Sequence, residues 1–204
     1  VLDIVKIRDI KARTTQPIWM NIGVPQSAKA GKYKGTLTVT GKNASPMELQ
    51  IEVDVLNRTL PAPKDWAFHL DLWQNPYSVA RYYQVPLWSK EHFDAMRPIM
   101  KMLANAGQRA ITTSIMHKPW AGQTEDHFDS MITRIKKIDG TWVYDYAVFD
   151  KWVEFMMNEI GIDDMISCYT MIPWALSFDY YDEATNRVQF LNTKPGDAAY
   201  ADYW

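Results

Sequence analysis

Across Leu60-Pro61-Ala62-Pro63 the chain changes its hydrophobic period, and the two sides of this proline-stiffened stretch cannot belong to the same kind of fold. Before it, apolar residues recur at every second position. Ile18, Met20, Ile22 and Val24 alternate until Pro25. Tyr33, Leu37 and Val39 share one face opposite Lys34, Thr36, Thr38 and Thr40. Met47, Leu49, Ile51, Val53 and Val55 then alternate against Glu48, Gln50, Glu52 and Asp54. Side chains of a strand point alternately to its two faces, so each run predicts a half-buried strand, with a hairpin loop at Gly41 to Pro46. A complete Ig-like sandwich has about seven strands. Residues 1–60 are therefore expected to be the carboxyl-terminal strands of a β-sandwich.

Beyond the link, strands alternate with helices. Trp66 to Trp73 reads as a first strand. Ser89 to Ala106 carries Phe93, Met96, Ile99, Met100 and Leu103 at helical spacing, with Ser89 as N-cap and Gly107 as stop. Arg109 to Met116 is the second strand. A hairpin around Asp139-Gly140 follows, then a helix from Ala147 to Ile160 with Phe149, Trp152, Val153, Met156 and Met157 as its apolar stripe, then a third strand from Ser167 to Pro173. Strands joined by helices predict a parallel sheet. The fold class expected is α/β, with residues 64–204 the first part of a (β/α) TIM-type barrel or an open sheet.

Such folds place ligands at the carboxyl ends of the strands. Those ends carry His69, Asp71, Trp73 and Gln74, then His117 and Trp120, then Tyr169 and Trp174. The chain has 9 Trp and 11 Tyr, which by number alone reads as core packing, but an aromatic residue at every strand end reads as a set of flat platforms for sugar rings. Asp71 is the foremost candidate for a hydrogen bond to sugar hydroxyls.

Other chemistries lack their residues. Lys+Arg 22 against Asp+Glu 24, with no run of like charge, argues against nucleic acid. The single cysteine, Cys168, excludes an intrachain disulfide, and two strand-end histidines without a third ligand at a defined spacing do not make a metal site. No G-x-S-x-G elbow or glycine-rich phosphate loop is present, so neither cofactor nor metal is expected. No apolar run is long enough to predict a membrane span, and the first residues carry no export signal. Of the adjacent acidic pairs, Asp163-Asp164 follows a helix end away from the site. Asp182-Glu183 precedes Ala184-Thr185-Asn186-Arg187 and the strand-like Val188 to Leu191, which is the pattern of a hairpin turn.

Phe68-His69-Leu70-Asp71-Leu72-Trp73-Gln74-Asn75-Pro76, Ile111-Thr112-Thr113, His117-Lys118-Pro119-Trp120, Tyr144-Asp145-Tyr146 with Phe149-Asp150-Lys151-Trp152, and Met171-Ile172-Pro173-Trp174 together resemble the catalytic domain of glycoside hydrolase family 123. Ala30 to Thr36 is similar to the end of the sandwich that precedes it. The resemblance implies a β-N-acetylgalactosaminidase acting on glycans or glycolipids, retaining by substrate assistance. In that mechanism the substrate's acetamido oxygen is the nucleophile, an aspartate orients it and an adjacent glutamate is the general acid. It also implies that the Asp-Glu pair lies on a later barrel strand, beyond Trp204, so no catalytic residue is expected here and Asp182-Glu183 does not inherit the role. The alternative is a non-catalytic glycan-binding or surface-adhesion module. A periplasmic, cell-surface or secreted location, with its signal upstream, and self-association of a partial barrel through its open edge complete the expectations.

Overall fold

A computed structural model describes residues 9–204, and the chain divides into two units, one ending at Leu60 and the other starting at Pro61. The first unit contains one antiparallel hairpin of β1 (Gly31–Gly41) and β2 (Ala44–Val55). Its register sets Leu37 opposite Leu49 and Tyr33 opposite Val53, so the apolar residues do share a face. That face is not buried as expected: Leu37, Val39, Ile51, Val53 and Val55 are half-buried, while Tyr33, Met47 and Leu49 are exposed. The expected strand from Ile18 to Val24 is also absent. Alternation makes a strand only where a partner edge and a face to cover exist, and Ile18 and Trp19 remain 73% and 79% exposed.

The second unit is mixed α and β. Helix α1 (Pro76–Tyr83) begins where Asn75 Oδ1 accepts the Ser78 N–H and Pro76 occupies the first turn. Helix α2 (Lys90–Asn105) is capped by Ser89, whose hydroxyl accepts the His92 N–H, and it gives way to Gly107 in the left-handed region. Strand β3 (Ala110–Ser114) then pairs in parallel with β6 (Met165–Tyr169). Between them α3 (Ala147–Glu154) continues into a π-helical turn at Phe155–Ile160. The wider turn carries Phe155, Met156 and Ile160 all into the core, and it leaves Met157, expected in the apolar stripe, 40% exposed.

The stripes of α2 and α3 close over β3: Met96, Met100, Trp152, Met156 and Ile111 are essentially inaccessible, and the Trp152 indole N–H donates to Thr112 O at 3.0 Å. The residues before α1 do not form the expected continuous strand. Only Leu70 bridges to Gln108, in parallel, because side chains replace the rest of the ladder. The Leu72 N–H donates to Gln108 Oε1 (2.8 Å) and the Gln74 N–H to Thr112 Oγ1 (3.1 Å). The segment still runs beside β3, so three chain segments end on the same side.

A second sheet has the order β5-β4-β7-β8, from β4 (Thr133–Lys136), β5 (Trp142–Asp145), β7 (Ser177–Asp182) and β8 (Arg187–Asn192). Its two hairpins are joined by a parallel pairing of β4 with β7. Helix α4 (Ala198–Tyr203) packs there through Tyr203, against Phe178 and Met116. The buried Arg134 guanidinium lies over the rings of Tyr203 and Trp204 at 4.9 and 4.5 Å and donates to Ile115 O. No helix among the described residues is long and apolar enough to cross a membrane.

Candidate functional site

Where the 70–74 segment, β3 and β6 end together, three aromatic rings meet. Trp73 stacks on Trp120 at a centroid distance of 4.7 Å, and Tyr169 lies 4.9 Å from Trp73 and 5.2 Å from Trp120. Their exposures differ, and so do the jobs they can do. Trp120 is 9% exposed and backed edge-on by Phe128 at 4.9 Å, so it forms the floor and not the platform expected from its position. Trp73 is 53% exposed and offers the face that a ligand meets.

Asp71 stands two residues before Trp73, so an extended backbone puts both on one side. Its Oδ1 is buried with no hydrogen-bond partner. The neighbouring Tyr169 hydroxyl is held above its ordinary pKa by partial burial and then by the Asp71 carboxylate. Beneath a wall of rings, the site thus holds an unsatisfied acceptor, the kind of group a donor hydroxyl or amide satisfies. The Tyr169-Thr170 peptide is cis.

The remaining candidates separate. Gln74, expected to face a ligand, is 2% exposed and bonded wholly to backbone. Its Oε1 accepts the Thr112 N–H at 2.8 Å, and its Nε2 donates to Ala110 O at 3.2 Å and to Leu72 O. It pins the 70–74 segment to β3, because that segment has no ladder of its own. His117 Nδ1 lies 3.0 Å from Asp129 Oδ1 and its ring packs 5.8 Å from Phe190. Trp174 is 66% exposed, and its N–H donates to Pro119 O, tying the loop after β6 to the loop after β3. His69 is exposed and is not brought into the ring cluster.

Three residues absent from the sequence expectations support this site. Tyr77 donates its hydroxyl to Asp129 O at 2.8 Å, Phe128 backs Trp120, and Asp129 holds His117. Phe128 and Asp129 lie in the polar excursion after β3, where no periodicity marks them. Asp179 on β7 is a further, half-buried acid: its inaccessible Oδ1 has no partner, and burial raises its pKa against the opposing pull of His117 and Arg134.

The pairs Asp163-Asp164 and Asp182-Glu183 lie elsewhere. Asp182 accepts the Ala184 N–H and the Thr185 hydroxyl, as the turn between β7 and β8 requires. Glu183 bonds to Lys137 and accepts the Ile138 N–H, and Lys137 pulls its pKa down, the reverse of what a general acid needs. Asp164 pairs with Arg109 at 2.7 Å, beside the start of β6 and away from the strand ends. Among the described residues no group of three or more His, Cys, Asp or Glu is placed to hold a metal ion.

The model of the glycoside hydrolase 123 catalytic domain matches residues 73–204, and that of the glycoside hydrolase 123 N-terminal domain matches residues 1–41. A solved structure of a family 123 glycoside hydrolase from Clostridium perfringens, analysed for glycolipid glycan hydrolysis, is 33% identical, with a TM-score of 0.78. The match covers 88% of this chain and 32% of that one, so this chain spans about a third of that relative. A search of curated proteins gives no match.

Proposed function

The chain belongs to glycoside hydrolase family 123, and from that premise we propose that it carries part of the sugar-binding surface of a β-N-acetylgalactosaminidase acting on glycans or glycolipids. The observation that carries this reading is the Trp73–Trp120–Tyr169 cluster with the buried, unpartnered Asp71 Oδ1 beside it. An aromatic face suits the C–H face of a sugar ring, and the free acceptor suits a hydroxyl or acetamido N–H.

In the full-length parent the reaction is retaining and substrate-assisted: the acetamido oxygen attacks the anomeric carbon as a glutamic acid protonates the departing oxygen. The Asp-Glu pair that does this is proposed to lie beyond Trp204, and the engagement of Asp182 and Glu183 in their turn supports that reading. The parallel pairing of β3 with β6, and the parallel bridge at Leu70, support a (β/α) barrel begun by residues 64–204. The β1–β2 hairpin supports residues 1–60 as carboxyl-terminal strands of a sandwich. A periplasmic, cell-surface or secreted location follows from such substrates. A second reading, a glycan-binding or adhesion module without catalysis, is favoured by the engagement of Asp126, from the Glu125-Asp126 pair near the aromatic surface, in a two-oxygen ion pair with Arg81.

Titration of the chain with N-acetylgalactosamine, followed by tryptophan fluorescence, tests the site. Saturable quenching is expected, lost in Trp73→Ala. Quenching that survives in Trp73→Ala, or none in either protein, overturns the proposed surface. Assay of the full-length parent with a chromogenic N-acetylgalactosaminide then separates enzyme from adhesion module.

A further inference from the structure

His92 stands in the first turn of α2, and its side chain is wholly buried. Backbone groups engage both ring nitrogens. The Trp88 N–H donates to Nδ1 at 3.0 Å, and Nε2 lies 2.9 Å from Pro76 O. An amide N–H only donates and a carbonyl only accepts, so the ring is neutral with its proton on Nε2. One imidazole thus ties the loop between α1 and α2 to the first residue of α1.

Trp88 is the residue that this bond restrains. Its φ is +61°, in the left-handed region that a bulky side chain seldom adopts. Its half-buried indole joins two clusters. On one side it meets Trp152 and Phe93, at centroid distances of 6.2 and 6.3 Å, and on the other it meets Tyr77 edge-on at 5.7 Å. Tyr77 in turn packs 5.7 Å from Phe128, which backs Trp120, the floor under Trp73. Held in place, Trp88 therefore braces the floor of the aromatic site against the main core.

A proton on Nδ1 breaks this arrangement, because an imidazolium has two donors and no acceptor and the Trp88 N–H would then face another N–H. The surroundings oppose that charge. The first turn of a helix is the positive end of its dipole. Burial lowers the His92 pKa, with Pro76 O pulling weakly the other way. The charged and titratable groups of the packed elements are engaged elsewhere. On α2, Lys90 bonds Asp94, and Glu91 is held by Ser89 and its own backbone. On α1, Arg81 bonds Asp126 and the Tyr77 hydroxyl donates to Asp129 O. On α3, Lys151 donates to Trp88 O.

We propose that His92 is a positioning residue for the aromatic site and a pH-sensitive latch: neutral, it holds Trp88 and the Tyr77–Phe128–Trp120 floor, and on protonation it releases Trp88. The latch stands on its own geometry, and its consequence for ligand rests on the sugar-binding reading. The folded state disfavours the proton, so the latch is at full strength above the ordinary histidine pKa and is lost as pH falls through the lowered one.

The test follows the His92 ring and the backbone amides of this chain by NMR from pH 7 down to pH 5, with exchange corrected for its intrinsic pH dependence. As the ring protonates, the Trp88 amide is expected to lose about tenfold in protection while Ile111 and Thr112 in β3 keep theirs. N-acetylgalactosamine is expected to bind about tenfold more weakly over the same range. In His92→Gln, neutral at every pH, neither quantity should depend on pH. If that variant does not fold, the titration of the unaltered chain decides alone. A ring that stays neutral throughout, Trp88 protection that survives its protonation, or a parallel loss in β3 overturns the latch. Release of Trp88 with unchanged sugar affinity, or an affinity in His92→Gln that still falls with pH, overturns the positioning role. Absence of sugar binding at every pH overturns the reading of the aromatic site, while amide exchange still decides the latch.

Discussion

Asp71 and Gln74 stand three residues apart, and they are expected to respond oppositely to removal. An unpartnered buried acceptor costs about 1–3 kcal/mol, so Asp71→Ala relieves a penalty: thermal stability stays level or rises while N-acetylgalactosamine affinity falls about tenfold or more. Gln74→Ala takes away the acceptor of the buried Thr112 N–H, while Ala110 O keeps its bond from Gln108 Nε2, and a loss of about 1–3 kcal/mol is expected. Chemical denaturation beside sugar titration checks the pair. A destabilised Asp71→Ala with normal sugar affinity would make that carboxylate structural. Asp179 makes a pH-dependent case. Its carboxyl is raised by burial, so the folded state is penalised for the charged form: stability from this group is full below its ordinary pKa and is lost as pH rises through the raised one. Asp179→Asn is therefore expected to melt higher than the parent at pH 7, with the gain shrinking as pH falls into the ordinary carboxylate range. A gain that does not change with pH would show that titration of Asp179 is not its source. In the sequence, Asp71, Trp73, Trp120 and Tyr169 were legible because strand-end position alone brings them together. The role of Gln74 was not, because its partner Thr112 lies 38 residues away and no local pattern links them.

At the scale of elements, caps and stops carry the helices. Ser89→Ala leaves the His92 N–H at the start of α2 without its acceptor, and a loss of about 1 kcal/mol is expected in chemical denaturation. Gly107→Ala should cost more, because φ is +88° there and an added Cβ would lie 3.1 Å from the Trp66 ring and 3.4 Å from Pro63 O. If Gly107→Ala proved no worse than Ser89→Ala, the strain assigned to that turn would be wrong. Helices α2 and α3 could be read from apolar spacing because each lays one stripe on β3. Helix α1 carried a start signal in Asn75-Pro76, but eight residues of mixed polarity gave it no period to follow. The hairpin turns at Asp139-Gly140 and at 183–186 were also readable. The parallel pairing of β4 with β7, which makes one sheet of two hairpins, was not, because only two residue pairs hold it and they are 46 positions apart in sequence. Local chemistry writes turns, whereas nothing local writes which hairpin meets which.

For the whole molecule, the consequence of these pairings is an open edge. Strand β6 is bonded to β3 on one side and to no strand on the other among the described residues, and Met165, Ile166 and Cys168 along it are exposed. Met171, Ile172 and Trp174 continue that exposed run, at 53%, 54% and 66%. An uncovered strand edge with apolar neighbours is a template for pairing with another chain, and the charges, prolines or bulges that usually protect an edge are missing between Met165 and Tyr169. The 204-residue chain by itself is therefore expected to self-associate, with a weight-average mass that climbs over a concentration series in sedimentation equilibrium. Reducing agent should not abolish the rise, which separates strand pairing from oxidation of Cys168. Ile166→Lys, opposite Ile111 in the register, puts a charge on the exposed strand while leaving the backbone groups that bond to β3 in place, and should shift the association to about tenfold higher concentration. A concentration-independent monomer that unfolds cooperatively would mean that the exposed edge is protected in solution, and the proposal that residues 64–204 form an unclosed barrel would fall with it.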